Sequence, residues 1–273
     1  MFDKEKMAEK ALLVRQQVLE MCTRAGEGRI SSSLSWTDIA VSLFYGRILK
    51  FDPANVKLED RDRFVLSKGW GVICLYPILA NLGFFPKDEL DKYCTSGSLL
   101  GAYGDNVPGV EIVWASIGHG LGVASGLALA AKMDKKDYMT LVVMGDGECY
   151  EGSVWESAMF AGHHGLNNLV ALVDRNGLCT IDFTENCLRL NPLDEKFKAF
   201  GWDVTTIDGH SFDEIFKAFR NFHSRRSNKP LVIIANTIKG KGISYLEYNP
   251  MAHVIIPTDE QLEKAREDLK CPR

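Results

Sequence analysis

Two apolar runs each end in residues that can bind a metal ion and a phosphate group. The run TLVVM leads into Gly145-Asp146-Gly147-Glu148, and the run LVALV is followed by Asn176, thirty residues after Asp146. The residues between them have a helical pattern, so a strand–helix–strand unit with neighbouring parallel strands is predicted. Because ligands gather at the carboxyl ends of parallel strands, Asp146 and Asn176 are expected to lie together.

Magnesium and a diphosphate are the ligands that this pattern favours. Mg²⁺ prefers about six oxygen ligands and usually keeps water and phosphate oxygens among them. The carboxylate of Asp146, the amide oxygen of Asn176 and the backbone carbonyl of Leu178 are the expected protein ligands. Gly145 and Gly147 let the backbone approach a phosphate, and the amides of the following helix favour its charge. A GDG segment alone is also a common turn, so the downstream Asn and the strand context decide the interpretation.

The elements around these residues alternate between helices and strands. Helices are predicted for residues 3–25, from a cap at Thr37-Asp38, for 116–133, for 151–164 and for SFDEIFKAFRNFH, and strands for RFVLS, TLVVMG, LVALVD, WDVTTID and PLVIIANTI. This alternation predicts an α/β fold, doubly wound, with a mostly parallel sheet and helices on both faces. All 273 residues are expected to form a single domain.

Composition narrows the class of partner. The formal net charge of -4 argues against nucleic acid or an anionic membrane as a partner, and neither an export signal nor a membrane span is visible. The seven cysteines lack a CxxC pair, so they are interpreted as reduced thiols of a cytoplasmic protein.

A longer segment is similar to a known family. GDGECYEGSVWESAMFAGHHGLNNLVALVDRNG resembles the thiamine diphosphate motif of transketolases. The resemblance continues through EGRISSSLS, DRFVLSKGW, PGVE, SIGHGLG, KAFGWDV with DGH, NTIKGKGISYLE and His253, and so covers nearly the whole chain. It implies an enzyme that uses thiamine diphosphate and Mg²⁺ (or Ca²⁺) to transfer a two-carbon ketol unit from a ketose-like donor to an aldehyde acceptor.

The resemblance also implies which residues contact the cofactor. It assigns the metal to Asp146, Asn176 and the Leu178 carbonyl. The residues that would line the aminopyrimidine or border the diphosphate are Ala115, Ile117, Gly145, Gly147 and Glu148.

Three further residues have implied catalytic roles. His253 matches the family's catalytic histidine, which assists proton movement at the donor hydroxyl. Glu151 and Glu156 match acidic positions at the family's subunit interface, which are proposed to link two active sites through shared protons. The alternative for Glu156 is a solvated charge on a helix surface.

The substrate-facing positions depart from the family pattern. Arg29, Trp70 and Ala102 stand where transketolases usually have histidines, and His119 stands where Gln is common. Arg29 would supply a guanidinium suited to carboxylate, phosphate or sulfonate, so a substrate other than a standard sugar phosphate is expected. The alternative is that Arg29 pairs with a nearby acid and Trp70 fills space.

The pyrimidine-binding domain of transketolases has no counterpart in this sequence. The chain therefore resembles the N-terminal subunit of a split transketolase, and a C-terminal transketolase-like partner would supply the Glu that contacts the aminopyrimidine. A heterotetramer with two copies of each subunit is expected by analogy. Two alternatives remain: the α subunit of another thiamine diphosphate enzyme, such as a 2-oxoacid dehydrogenase, and a catalytically silent cofactor-binding subunit.

Overall fold

The apolar runs form one parallel sheet in the computed structural model, which describes residues 3–103, 107–113 and 116–271. The described strands are β1 (Arg63–Leu66), β2 (Ile112–Val113), β3 (Thr140–Gly145), β4 (Leu169–Arg175), β5 (Asp203–Asp208) and β6 (Leu231–Asn236). They lie in the order β2-β1-β3-β4-β6-β5, and each neighbouring pair is parallel. The predicted α/β class and the predicted pairing of β3 with β4 are confirmed.

Helices connect the strands. The described α-helices are α1 (Lys4–Ala25), α2 (Ile30–Leu34), α3 (Thr37–Phe44), α4 (Leu75–Leu82), α5 (Gly120–Met133), α6 (Gly152–His163), α7 (Thr184–Cys187), α8 (Leu193–Ala199), α9 (Phe212–Ser224) and α10 (Asp259–Asp268). Short 3₁₀ turns cover Gly69–Cys74, Lys87–Lys92, Gly147–Tyr150 and Pro250–His253. Within the described ranges, no helix combines the length and the apolarity that a bilayer crossing requires.

Both faces of the sheet are buried. On β3, Leu141 and Val143 belong to one apolar cluster, whereas Val142 and Met144 belong to a second. Alternate residues of a strand point to opposite faces, so each central strand contributes to two layers of core. A strand that is covered on both faces has a continuous apolar sequence, and this confirms the doubly wound arrangement.

α3 begins where it was predicted, but the predicted side-chain cap by Thr37-Asp38 is wrong. Thr37 is the first residue of α3, and its hydroxyl donates to a carbonyl of α2. The Asp38 carboxylate instead accepts two bonds from Arg15, at 2.9 and 2.7 Å, and one from His210 Nδ1 at 2.7 Å. Because the amide of Ile238 donates to His210 Nε2, the imidazole proton is assigned to Nδ1. Neither side chain therefore caps the helix: Thr37 bonds to the preceding helix, and Asp38 binds partners that are distant in sequence.

Three strands end at one edge of the sheet. Gly145 of β3 lies opposite Asp174 of β4, and Arg175 of β4 lies opposite Asn236 of β6. The segments that follow these strands therefore leave the sheet side by side, at the edge where parallel sheets bind ligands.

Candidate functional site

A cleft of about 580 Å³ opens at this carboxyl edge. Many of its lining residues are those predicted from the sequence: Trp70, Ile117, Gly145, Asp146, Gly147, Glu148, Asn176, Leu178 and His253. Others were not predicted as site residues: Ser32, Lys68, Tyr150, Cys179, Cys187 and Lys239. A larger depression of about 890 Å³ lies at the opposite, amino ends of the strands, where Lys136 pairs with Asp60 at 2.9 Å. Most of the residues that were predicted to bind the metal and the cofactor therefore line the smaller of these two cavities.

Asp146 is held at the bottom of the cleft by its neighbours. Its side chain is only 1% exposed, and its two oxygens accept bonds from the amides of Gly147, at 2.8 Å, and Gly177, at 2.7 Å. Arg175 Nη1 lies 3.1 Å from the second oxygen. Burial raises the pKa of Asp146 to about 6, against the opposing effect of the Arg175 charge. The carboxylate is thus fixed in one orientation.

Asn176 and Leu178 form a tight turn beside Asp146. Gly177 has a φ of 75°, a left-handed conformation that favours glycine, and this turn directs the Leu178 amide to the Asn176 Oδ1 at 3.1 Å. The Leu178 carbonyl accepts no hydrogen bond from any described residue, although Leu178 is 4% exposed. Leu178 lines the cleft, so a metal ion bound there would give this carbonyl a partner.

This donor set fits a hard cation. A carboxylate, an amide oxygen and a backbone carbonyl at one end of the cleft are the oxygen ligands that Mg²⁺ and Ca²⁺ prefer. Gly147 suits this tight packing, since a Cβ there would lie 3.3 Å from the Cβ of Cys179. The helix amides that were expected to favour the diphosphate do not directly follow Asp146. A 3₁₀ turn follows it, and α6 begins only at Gly152. The Gly147 amide already donates to Asp146.

Glu148 joins three segments of the site. Its carboxylate accepts from the Gly118 amide at 2.8 Å, from the Gly145 amide at 3.2 Å and from the Ser67 hydroxyl. Ser67 in turn accepts from the Gly120 amide at 3.0 Å. Burial raises the pKa of Glu148, and these donors oppose that effect. Glu148 therefore fixes the positions of the GDG segment and of the turn before α5.

Lys68 is buried beneath the cleft. Its ammonium ion-pairs with Asp174 and donates to the Ser35 hydroxyl at 2.7 Å and to the Ser32 carbonyl at 2.9 Å. Burial raises the pKa of Asp174, but the Lys68 charge together with the hydrogen bonds from Lys68, Ser35 and Thr237 outweighs it and holds the pKa below its usual range. In the sequence, Lys68 stands only within the DRFVLSKGW segment and was not predicted as a site residue.

Lys239 and His253 meet at the other side of the cleft. Lys239 Nζ lies 3.1 Å from His253 Nδ1 and donates to the Cys179 carbonyl at 3.1 Å. Burial, and then the Lys68 charge, lowers the pKa of Lys239 to about 8. Burial and the Lys239 charge lower the pKa of His253 to about 4, so the imidazole is neutral near pH 7. Because Nδ1 accepts from Lys239, its proton is assigned to Nε2, which has no described partner.

Arg29 packs against two aromatic rings that also contact each other edge-to-face. Its guanidinium carbon lies 4.7 Å from the Tyr103 ring centre and 5.1 Å from that of Trp70, and the Trp70 ring packs on His253 at 4.7 Å. The Glu27 carboxylate lies 3.3 Å from Arg29 Nη2, which agrees with the alternative that Arg29 pairs with a nearby acid. Yet Nε and Nη1 are buried and find no hydrogen-bond acceptor among the described residues. The ion pair therefore leaves part of the guanidinium unsatisfied.

The remaining predicted residues lie around the cleft or away from it. Ala115 lies outside the described residues. Ala102 is half-buried next to Tyr103, and His119 is exposed, with Nδ1 3.0 Å from the Ile117 carbonyl; neither is among the residues that line the cleft. Glu151 is half-buried at the start of α6, and Glu156 is exposed on that helix.

A family model matches almost the whole chain. Residues 6–270 match the model described as the transketolase, thiamine diphosphate binding domain. The chain is 40% identical over 252 residues to a protein of Phocaeicola vulgatus that is named as a subunit of apulose-4-phosphate transketolase, covering 92% of this chain and 89% of that protein. It is 38% identical over 266 residues to the 6-deoxy-6-sulfo-D-fructose transketolase subunit SqwG of a Clostridium species, covering 97% and 96%.

Solved structures give the same match for the fold. A transketolase from Campylobacter jejuni superposes with a TM-score of 0.91 at 29% identity. The alignment covers 98% of this chain and 43% of that one, so this chain spans about two fifths of the solved enzyme's length.

Proposed function

Because this chain belongs to the transketolase family, we propose that it is the cofactor-binding subunit of a two-subunit transketolase. The chain has nearly the length of relatives that are named as transketolase subunits, and well under half that of a transketolase solved as a longer chain. All 273 residues would form the diphosphate-binding domain, and a C-terminal transketolase-like partner would supply the Glu for the aminopyrimidine. We infer a heterotetramer with two copies of each subunit, and we propose that it acts in the cytoplasm. Glu151 and Glu156 would lie at contacts between subunits.

One observation carries the cofactor assignment. Asp146, Asn176 and a Leu178 carbonyl without a described donor meet in the cleft. These atoms would hold the metal, and Gly145 and Gly147 would border the diphosphate, whose charge the two cleft lysines would partly balance. Thiamine diphosphate, when bound, supplies a carbanion that adds to a ketone and permits cleavage of the neighbouring C–C bond.

The chain's own residues would then move and position protons. His253 presents a protonated Nε2 that is buried and unpaired among the described residues, so it can donate to a substrate oxygen. Lys239 holds the opposite ring nitrogen and keeps the imidazole in this tautomer. Trp70 packs on the same ring and excludes water from it.

The substrate is proposed to be a ketose that carries an anionic group or an unusual carbon frame. Arg29 retains two buried N–H groups without a described acceptor, and an anion such as phosphate or sulfonate would satisfy them. Relatives named for apulose 4-phosphate and for 6-deoxy-6-sulfofructose support a specificity outside the standard sugar phosphates. Trp70 would give this side of the site an apolar wall.

Calorimetry tests the cofactor site. Thiamine diphosphate with Mg²⁺ should bind the wild-type chain in complex with its partner, whereas Asp146→Ala should abolish magnesium-dependent binding. Asp194→Ala is the matched control, because Asp194 is partly exposed and pairs with Lys198 on the surface. Unchanged affinity in Asp146→Ala would refute the ligand assignment.

A transfer assay tests the substrate. The two-subunit complex should turn over 6-deoxy-6-sulfofructose or a branched ketose phosphate faster than xylulose 5-phosphate with ribose 5-phosphate as the acceptor. An ordinary transketolase rate with the standard pair would contradict the altered specificity. Acyl transfer to lipoamide would instead indicate a 2-oxoacid dehydrogenase, and cofactor binding without any turnover would indicate a silent subunit.

A further inference from the structure

Two cysteine thiols meet at the mouth of the cleft. Cys179 Sγ and Cys187 Sγ lie 3.3 Å apart. The backbone holds them there: an antiparallel bridge pairs Leu178 with Phe183, and the Cys179 amide donates to the Asp182 carbonyl at 3.0 Å. The short helix α7 then ends at Cys187. The contact therefore follows from a hydrogen-bonded loop.

This pair is also the accessible one. Cys187 is exposed and Cys179 partly exposed, and both line the cleft. By contrast, Cys22, Cys74 and Cys149 are at most 1% exposed. In the ranges that the structure describes, no other two thiols make such a contact. Oxidation should therefore select this pair over the remaining cysteines.

We propose that Cys179 and Cys187 are a reversible thiol–disulfide modification site, oxidised by a peroxide. One thiol loses its proton, and the thiolate attacks a peroxide oxygen and becomes a sulfenic acid as the O–O bond breaks; the hydroxide that leaves takes up that proton and becomes the first water. The second thiol attacks that sulfur, the S–S bond forms and the second water leaves. Two thiols lose two electrons, and one peroxide takes them up. A dithiol reductant reverses the reaction by exchange.

Disulfide formation requires a small movement with a consequence for the cleft. The S–S bond is about 2.05 Å long, so the sulfurs must approach each other by more than 1 Å. Cys179 follows Leu178 directly, and its carbonyl accepts from Lys239, which contacts His253. The movement would displace the segment that carries the metal-binding carbonyl. This second part, which rests on the proposed function, predicts that oxidation weakens thiamine diphosphate binding at least tenfold.

Peptide mapping tests the site without any use of the cofactor. The full chain is treated with a few equivalents of hydrogen peroxide, free thiols are alkylated, and the digest is analysed by mass spectrometry. A Cys179–Cys187 bridge that dithiothreitol removes is expected in wild type and in the control Cys271→Ser, and no bridge in Cys187→Ser. Alkylation of both residues after peroxide treatment, or a bridge to a different cysteine, would overturn the proposal.

Calorimetry with thiamine diphosphate and Mg²⁺ tests the consequence. The peroxide-treated wild type should bind at least tenfold more weakly than the reduced chain, and Cys187→Ser should be unaffected by peroxide. A bridge that leaves affinity unchanged would refute the coupling to the cleft. Failure of the reduced chain in complex with its partner to bind the cofactor would count against the proposed function, while the mapping result would still decide the thiol site.

Discussion

Replacement of Lys68 by methionine should destabilise the fold strongly. Lys68 is 7% exposed and its partner Asp174 is fully buried. Lys68→Met keeps most of the side-chain volume but leaves Asp174 with neutral donors only, from Ser35 at 2.6 Å, Asn176 at 3.3 Å and Thr237. Breaking a buried ion pair on one side costs about 3–5 kcal/mol. Because three neutral donors remain, we expect a loss of about 3 kcal/mol in the free energy of unfolding.

Urea denaturation, followed by circular dichroism, measures this loss. The control is Lys136→Met, because Lys136 pairs with the largely exposed Asp60 at 2.9 Å, and such surface pairs contribute about 0–1 kcal/mol. The double variant Lys68→Met/Asp174→Asn removes the uncompensated charge and should be more stable than Lys68→Met alone. A loss below about 1 kcal/mol, or a double variant less stable than the single one, would refute the role of the pair.

Three other predictions concern acid stability, proton transfer and packing. Burial raises the pKa of Asp38, but the charges and hydrogen bonds of Arg15 and His210 together outweigh it, and the pKa is about 2. About 2 kcal/mol of stability should therefore be present above pH 4 and lost as the pH falls towards 2. Asp38→Asn should lack this slope in urea titrations. His253→Gln should lower kcat by about 10²–10⁴-fold and leave the calorimetric affinity for thiamine diphosphate unchanged, and an unaltered kcat would remove His253 from the chemistry. Gly120→Ala would place a Cβ against Ser67 and should lower both the melting temperature and the affinity for thiamine diphosphate. An unchanged melting temperature would show that α5 can shift to make room for it.

The meeting of Asp146 and Asn176 at one edge of the sheet could be predicted because it depends on local sequence. Asp146 and Asn176 each follow a continuous apolar run, and two such runs joined by a helix specify neighbouring parallel strands. The order of the chain then fixes which strand ends meet. The pairing of Gly145 with Asp174 needed no long-range information beyond this rule.

The lysines were missed because their partners are distant in sequence. Lys68 meets Asp174 across 106 positions, and Lys239 reaches the Cys179 carbonyl across 60. Glycine-rich turns explain the residues next to both lysines, so nothing local marks their side chains as buried. The contact of Arg29 with Tyr103 could not be predicted for the same reason, because no periodic pattern links the two segments.

Two groups of residues at the cleft differ in construction: Asp146 and Asn176 line it in one group, and Trp70 lines it in the other, with Arg29 in contact with the Trp70 ring. Asp146 and Asn176 directly follow strands whose residues form the two cores, so exchanging them would disturb the sheet edge itself. Arg29 and Trp70 lie in short segments between elements: a link before α2 and a 3₁₀ turn. If Arg29 and Trp70 contact the substrate as proposed, selection can change the substrate while the cofactor site is kept. Such an architecture is suited to diversification, in which one inherited carbon-transfer chemistry is retargeted by exchanging a few connecting residues.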